Sequence, residues 1–355
     1  MAQYFAFQWH ITDDCDQRCK HCYIFAEGHP ALVTMNWEKI QHVFFNALEF
    51  CEKFGRLPYF YITGGDPILH PHFWDLLELC HEHKIPFTLM GNPFHLTPEN
   101  LQRMRNLGCD KYQMSIDGME KTHDWFRKPG SFKTTLQKIR LINEARGADG
   151  EAITSVIMTT LSGTNISEIP AVIDAVVEAG AAVYAFARYV PTSSGKSGEK
   201  SDWYISPDRY RDFLEKVDAK YQAYEKAGCK TYFNRKDHLW TLYDYENGKF
   251  NPKDYPDDEI VYGGCNCGNA HFTILSDGAC YACRRMESKV GNALTDDLYD
   301  LFTGEKTDEY RVYEKFEKCA KCPLLRFCRG CPAVAFGYSG GNMYAPDPEC
   351  WYEVK

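Results

Sequence analysis

Cys15, Cys19 and Cys22 stand on one short stretch, Cys15-Asp16-Gln17-Arg18-Cys19-Lys20-His21-Cys22. Three thiolates at this spacing suit an iron–sulfur cluster, because soft sulfur donors stabilise clusters of this kind. Three is also the informative number, since a four-iron cube held by three cysteines keeps one iron open to a small-molecule ligand. A zinc loop would need a fourth ligand, which His10 or His21 could supply. A second set lies far along the chain: Cys265-x-Cys267, then Cys283, then Cys319-xx-Cys322-x5-Cys328-xx-Cys331, and finally Cys350. These eight thiols could hold two four-iron clusters. Paired CxxC motifs could also build a structural zinc site, and spacing alone does not separate the two.

The rest of the composition narrows the setting. The chain has 355 residues, 44% hydrophobic and 15% aromatic, enough for one large core and a smaller second module. It has neither an export signal nor an apolar run of membrane-spanning length, so a cytoplasmic protein is expected. Its sixteen cysteines would then remain thiols, and metal or redox chemistry is their expected use. Cys51, Cys80, Cys109 and Cys229 are isolated and read as small core residues. A net charge of -9 and a pI near 5.8 argue against nucleic acid or a membrane as partner.

The elements that must position the first cysteines are parallel β/α units. Strand-like runs YFAFQWHIT, PYFYITGG, PFTLM, KYQMSIDG, ITSVIMTTL and VYAFARYV alternate with amphipathic stretches over 36–54, 72–83, 97–106, 131–145 and 167–179, and a helix over 207–226 follows the sixth run. Six units predict an open, partial (β/α)6 TIM barrel in an α/β fold, spanning 1–235. The Asn-, Pro-, Asp- and Gly-rich stretch within 236–264 reads as a linker, and 265–355 as a cysteine-rich C-terminal domain.

CxxxCxxC directly after the first strand of such a barrel resembles the signature of the radical S-adenosylmethionine (SAM) superfamily. The resemblance implies that the Cys15, Cys19 and Cys22 cluster binds SAM through its open iron and cleaves it reductively to a 5′-deoxyadenosyl radical, with His21 near the adenine. Thr63-Gly64-Gly65-Asp66-Pro67 resembles the family's GGEP segment; its paired glycines would let backbone approach a ligand whose ammonium an adjacent carboxylate receives. Ser115-Ile116-Asp117-Gly118 resembles SxDG, which lies near the ribose and methionine carboxylate, and Gly91-Asn92 resembles TNG. Arg188, at the end of the sixth run, is a candidate partner for a SAM or substrate carboxylate or for a structural salt bridge.

The C-terminal cysteines resemble a SPASM domain, with two residues between Cys328 and Cys331 where three are usual. Carried over position by position, a first auxiliary cluster would use Cys267, Cys283 and Cys331 with Cys265 as a possible fourth ligand. A second would use Cys319, Cys322, Cys328 and Cys350. Cys280 is left over and is expected to pack in a hairpin around Gly278. The resemblance implies three 4Fe-4S clusters and a polypeptide substrate, with a thioether or related crosslink as product. A small-molecule dehydrogenase or decarboxylase is the alternative. Sulfatase-maturating members carry an Asp after the cysteine matching Cys283; here Arg284 stands there, and an arginine is no base at neutral pH. With fourteen residues before Cys15, no leader-binding winged domain is expected ahead of the barrel. The expected partners are a peptide, a reductant such as flavodoxin or ferredoxin, and a separate leader-recognition protein.

Overall fold

The structure is a computed structural model that describes residues 4–25, 31–147, 149–191, 201–256 and 258–354. Strand and helix alternate along the first two thirds: β1 (Tyr4–Thr12), α1 (Trp37–Phe54), β2 (Leu57–Gly64), α2 (Phe73–Glu82), β3 (Phe87–Met90), α3 (Pro98–Asn106), β4 (Cys109–Ser115), α4 (Glu120–Phe126), α5 (Ser131–Glu144), β5 (Thr154–Leu161), α6 (Ile169–Glu178), β6 (Val183–Arg188), α7 (Pro207–Lys226), β7 (Tyr232–Asn234) and α8 (Leu239–Glu246). The ends of these helices follow from local chemistry. Asn36 accepts from the Lys39 amide to start α1, and Gly55, at φ +67°, stops it where a side chain would be strained. Ser206 caps α7 in the same way, with Pro207 in its first turn.

Three further strands, β8 (His271–Ile274), β9 (Ala279–Tyr281) and β10 (Lys289–Asn292), join the same sheet, whose order is β10-β9-β8-β1-β2-β3-β4-β5-β6-β7. Every pair from β8 through to β7 is parallel, and β8-β9-β10 is an antiparallel meander. The sheet ends in two edges and does not close, as an open barrel requires. The six predicted βα units are all present. Two expectations change. β8 lies alongside β1, with Ala6 opposite His271 and Trp9 opposite Ile274, so the cysteine-rich region extends the barrel sheet instead of sitting apart from it. The stretch 236–264 is more than a linker, because α8 buries Leu239, Trp240, Leu242 and Tyr243.

The two faces of the sheet differ. On β1, Phe5, Phe7, Trp9 and Ile11 are buried against the helices, with the Phe5 and Phe50 rings 4.5 Å apart. Each such side chain removed from water contributes about 1.5–3 kcal/mol. The alternate residues Ala6 and Gln8 are only half-buried, as are Lys111, Gln113 and Ser115 of β4 and Val156, Met158 and Thr160 of β5. The concave side is therefore a lumen lined by mixed polar and apolar side chains that are only partly covered. Cys51, Cys80, Cys109 and Cys280 are buried and Cys229 half-buried, as expected of packing thiols. Among the described residues no helix is long and apolar enough to cross a membrane.

Candidate active site

β1 runs into the loop that carries Cys15, Cys19 and Cys22, all half-buried. Side chains from other strand ends are aimed at these sulfurs. Asn92, just past β3, donates from Nδ2 to Cys15 Sγ at 3.2 Å and to Asp16 at 2.8 Å. The Gln17 amide approaches Cys15 Sγ at 3.4 Å, and Arg127 Nη1 lies 3.8 Å from Cys19 Sγ. Burial raises all three thiol pKa values, so the ligand-free thiols are protonated, and a soft metal centre would take them as thiolates. Donors directed at sulfur are what an iron–sulfur site needs to offset its negative charge.

The glycine pair serves the loop itself. A Cβ on Gly64 would lie 2.0 Å from the Thr12 carbonyl oxygen, and one on Gly65 would lie 2.1 Å from that of Asp14. The Gly65 amide donates to Thr12 and the Asp66 amide to Asp14, at 2.8 and 2.7 Å. The close approach expected toward a ligand is thus made toward the backbone that presents the cysteines, and only glycine leaves room for it. Asp66 is fully buried; its Oδ1 accepts from the Asn92 amide at 3.4 Å, while Oδ2 has no hydrogen-bond partner among the described residues. Burial pushes its pKa up to about 7. An unpartnered carboxylate oxygen beside Cys15 fits the ammonium group of a bound SAM.

Asp117, beyond Ser115 at the end of β4, is buried and fully engaged. It accepts from the Thr160 amide at 2.8 Å and from Arg127 Nε at 2.5 Å, and Asn165 donates to its carbonyl. Burial alone would raise its pKa, but Arg127 and His21 hold it down at about 2. Asp117 therefore orients Arg127, and Arg127 reaches both Cys19 and His21, whose Nε2 is 3.4 Å from Nη2. His21 packs edge-on against Phe126 at 5.4 Å, and burial lowers its pKa to about 4, so the ring is neutral. A neutral ring in this position suits stacking near a purine. Ser115 is half-buried on the lumen side. Arg127 is the functional residue the sequence did not reveal. It stands alone after α4, and only the fold brings it to the cysteines.

Of the two readings open for Arg188, ligand carboxylate or structural salt bridge, the geometry shows the salt bridge. Its guanidinium is 1% exposed and bonds Asp237 at 2.9 Å, Asp347 twice at 2.8 Å and Glu349 at 2.9 Å. These donors are directed at protein carboxylates that tie the end of β6 to the C-terminus. One cation for three buried acids leaves an excess of negative charge, and burial together with Asp347 pushes Glu349 up to about 7.

The C-terminal thiols fall into two groups of four. Cys265, Cys267, Cys283 and Cys331 lie within electrostatic reach of one another. The Cys267 amide is 3.4 Å from Cys265 Sγ, and hydrogen bonds from Cys267 and His238 hold the Cys265 thiol well below its usual range. Arg285 Nη2 reaches Cys331 Sγ at 3.4 Å. Cys319, Cys322, Cys328 and Cys350 line a second pocket with Leu242, Leu324 and Tyr352. Lys318 Nζ lies 3.6 Å from Cys350 Sγ there. Cys280 stays apart, buried beside Gly278. Tyr23, directly after Cys22, stands between the two ends of the molecule: both Cys22 and Cys283 act on its phenol, its hydroxyl pairs with His10 Nε2 at 3.0 Å, and Arg284 lies 5.8 Å from its ring centre.

Residues 9–176 match the Radical SAM superfamily, and residues 265–332 match the SPASM iron–sulfur cluster-binding domain. The chain is 25% identical over 354 residues to the AdoMet-dependent heme synthase of Nitratidesulfovibrio vulgaris, covering 98% of this chain and 92% of that protein. It is 23% identical over 363 residues to the mycofactocin maturase MftC of Mycobacterium ulcerans, covering 96% and 86%. Among solved structures, native anSMEcpe with bound AdoMet has a TM-score of 0.75 at 18% identity, covering 97% of this chain and 94% of that one. Streptococcus suis SuiB bound to its precursor peptide SuiA has a TM-score of 0.73 at 19% identity, covering 98% and 76%. The thiol loop, the sulfur-directed donors and both domain matches agree, and the chain carries a radical SAM domain followed by an iron–sulfur cluster-binding SPASM domain, the make-up of a radical SAM/SPASM enzyme.

Proposed function

We propose that this chain holds three 4Fe-4S clusters and modifies a ribosomally made peptide in its lumen, forming a thioether or related crosslink. Cys15, Cys19 and Cys22 hold the catalytic cluster, Cys265, Cys267, Cys283 and Cys331 the first auxiliary cluster, and Cys319, Cys322, Cys328 and Cys350 the second. When bound, the catalytic cluster and SAM supply a 5′-deoxyadenosyl radical that takes a hydrogen atom from the substrate. Asp66 receives the SAM ammonium, His21 lies against the adenine, and Asn92 and Arg127 offset charge on the sulfurs. Ser115, at the lumen end of β4, lies along the path to the substrate.

The observation that carries the SAM site is the buried Asp66 oxygen without a partner among the described residues, close to the Cys15 and Cys19 thiols, which already receive hydrogen bonds. The partly covered lumen between the β1 loop and the first cysteine quartet supports a substrate placed there. The peptide reading draws on the likeness to a mycofactocin maturase and to SuiB with its precursor peptide. Arg284 in the place of an acid speaks against a sulfatase-maturase type of oxidation. A flavodoxin or ferredoxin as electron donor, a separate leader-recognition protein and a cytoplasmic setting complete the reading.

One specific observation favours a second substrate. The heme synthase from Nitratidesulfovibrio matches over nearly the full length of both chains, which supports a tetrapyrrole carrying propionates. The test is direct. Anaerobic holoenzyme, SAM and reductant are incubated with a cysteine-containing peptide encoded beside the gene, and in parallel with iron coproporphyrin III. Loss of two hydrogens from the peptide is the expected result. Loss of carbon dioxide from the tetrapyrrole, with the peptide unchanged, replaces the peptide reading by the second.

A further inference from the structure

Most of the inward-facing cations in this protein have acids to meet. Arg127 pairs with Asp117, Arg188 with three carboxylates, and Arg235 with Asp218 and Asp244. Lys236 and Arg284 depart from that pattern. Lys236 follows β7 and is exposed to solvent, yet protein atoms crowd around it. Burial, with Arg284 and Arg285 adding repulsion, lowers its pKa to about 8. Arg284 is half-buried beside the Tyr23 ring, and the Gln8 amide, turned so that its oxygen faces the guanidinium, would accept from it. His271, at the start of β8, adjoins both cations, and burial keeps it neutral. Among the described residues no carboxylate forms an ion pair with either cation.

Arg285 belongs to a different task, because its two outer nitrogens meet the Arg188 carbonyl at 3.1 Å and Cys331 Sγ at 3.4 Å. What remains is one ammonium just past β7 and one guanidinium just past β9, within electrostatic reach of each other. Two neighbouring cations without a carboxylate ion pair are better placed once an anion lies between them. The neighbours include a phenol, an amide and a neutral imidazole, which can donate or accept around a carboxylate. Arginine and lysine bonds to a carboxylate are among the strongest single contacts available to a substrate.

We infer that Lys236 and Arg284 form the seat for a carboxylate of the substrate, held beside Tyr23 between the β1 cysteine loop and the Cys265, Cys267, Cys283 and Cys331 quartet. The inference rests on the proposed radical reaction in the lumen and deepens it by naming the group that anchors the substrate. The carboxylate is a Glu or Asp side chain or terminus in a peptide, and a propionate in a tetrapyrrole. The seat also explains why an arginine suits the position after Cys283: it binds there and takes no proton.

The experiment uses anaerobic holoenzyme with SAM and two matched probe pairs. One pair is coproporphyrin III and its tetramethyl ester; the other is a cysteine-containing peptide with Glu and the same peptide with Gln. In at least one pair the wild-type enzyme is expected to bind the acid about tenfold or more tightly than its neutral twin. Lys236→Met and Arg284→Gln each bring the twins to within about twofold of one another, at unchanged iron and sulfide content, while Lys236→Arg keeps the preference. A preference in the porphyrin pair identifies a propionate, and one in the peptide pair an acidic side chain. Equal binding of acid and neutral twin by the wild type in both pairs overturns the inference. So does an unchanged preference in both variants, and so does loss of iron from Lys236→Met, which would assign the lysine to the sulfur centre. Formation of 5′-deoxyadenosine by wild-type enzyme without any probe reports on the radical reading separately, since its absence would sink that reading whatever the probes do.

Discussion

Around Cys15, Cys19 and Cys22 the sulfurs are met by side chains gathered from several places, Asn92 after β3, Arg127 after α4, and Asp66 after β2 close by. The C-terminal thiols are mainly one another's neighbours, in two groups of four. The contrast separates two kinds of sulfur site. A set of three with an unpartnered, buried carboxylate oxygen alongside suits the small-molecule uptake proposed for it. A set of four is complete in itself and suits storage or passage of electrons. Arg188 joins the two regions, and its three acids come from the end of β7 and from the last turn of the chain.

The comparison can be broken most severely at the first set. Changing Cys15, Cys19 and Cys22 together to Ala is expected to lower 5′-deoxyadenosine formation by about 10³-fold or more, read by mass spectrometry, while roughly eight irons remain in the C-terminal groups. Iron falling to background in this variant would mean that the two regions do not load separately. Next in size is the joint. Arg188→Met leaves three buried carboxylates without their cation and is expected to destabilise the protein by about 3–5 kcal/mol, a drop of roughly 10 °C in thermal midpoint. A midpoint within about 2 °C of wild type would show that Arg188 carries no such load.

Smaller effects sharpen the division of labour. Cys328→Ala should remove about four irons and lower modified product about 10²-fold, with uncoupled cleavage of SAM continuing. Loss of SAM cleavage in that variant would merge the two roles. Asp66→Asn should raise the KM for SAM about tenfold with little change in kcat, as expected for loss of one charged contact made equally in ground and transition states. An unchanged KM would remove Asp66 from the binding site.

What could be read beforehand depended on how local the determinant was. The apolar run YFAFQWHIT alternates over nine residues and becomes β1 over the same span, and Gly55 stops α1 by its own backbone preference. Cysteine spacing pointed to the chemistry without any fold. β8 and β9, with four and three residues, are too short to show a period, and their place in the sheet is set by the pairing of β8 with β1 from the far end of the chain and of β9 with β8. The Asp117–Arg127 pair and the Arg188 cluster are likewise made by tertiary contact, and single charged residues in a sequence do not announce their partners. Gly64 and Gly65 were recognised as a close approach, but what they approach is the cysteine loop.

The parallel pairing of β8 with β1 also sets an order of assembly. β8 lies far from β1 in sequence, so the strand that runs into the Cys15, Cys19 and Cys22 loop keeps one edge unsatisfied until β8 has been made. A truncation that removes β8 would therefore expose an aggregation-prone edge on the strand that leads into those thiols.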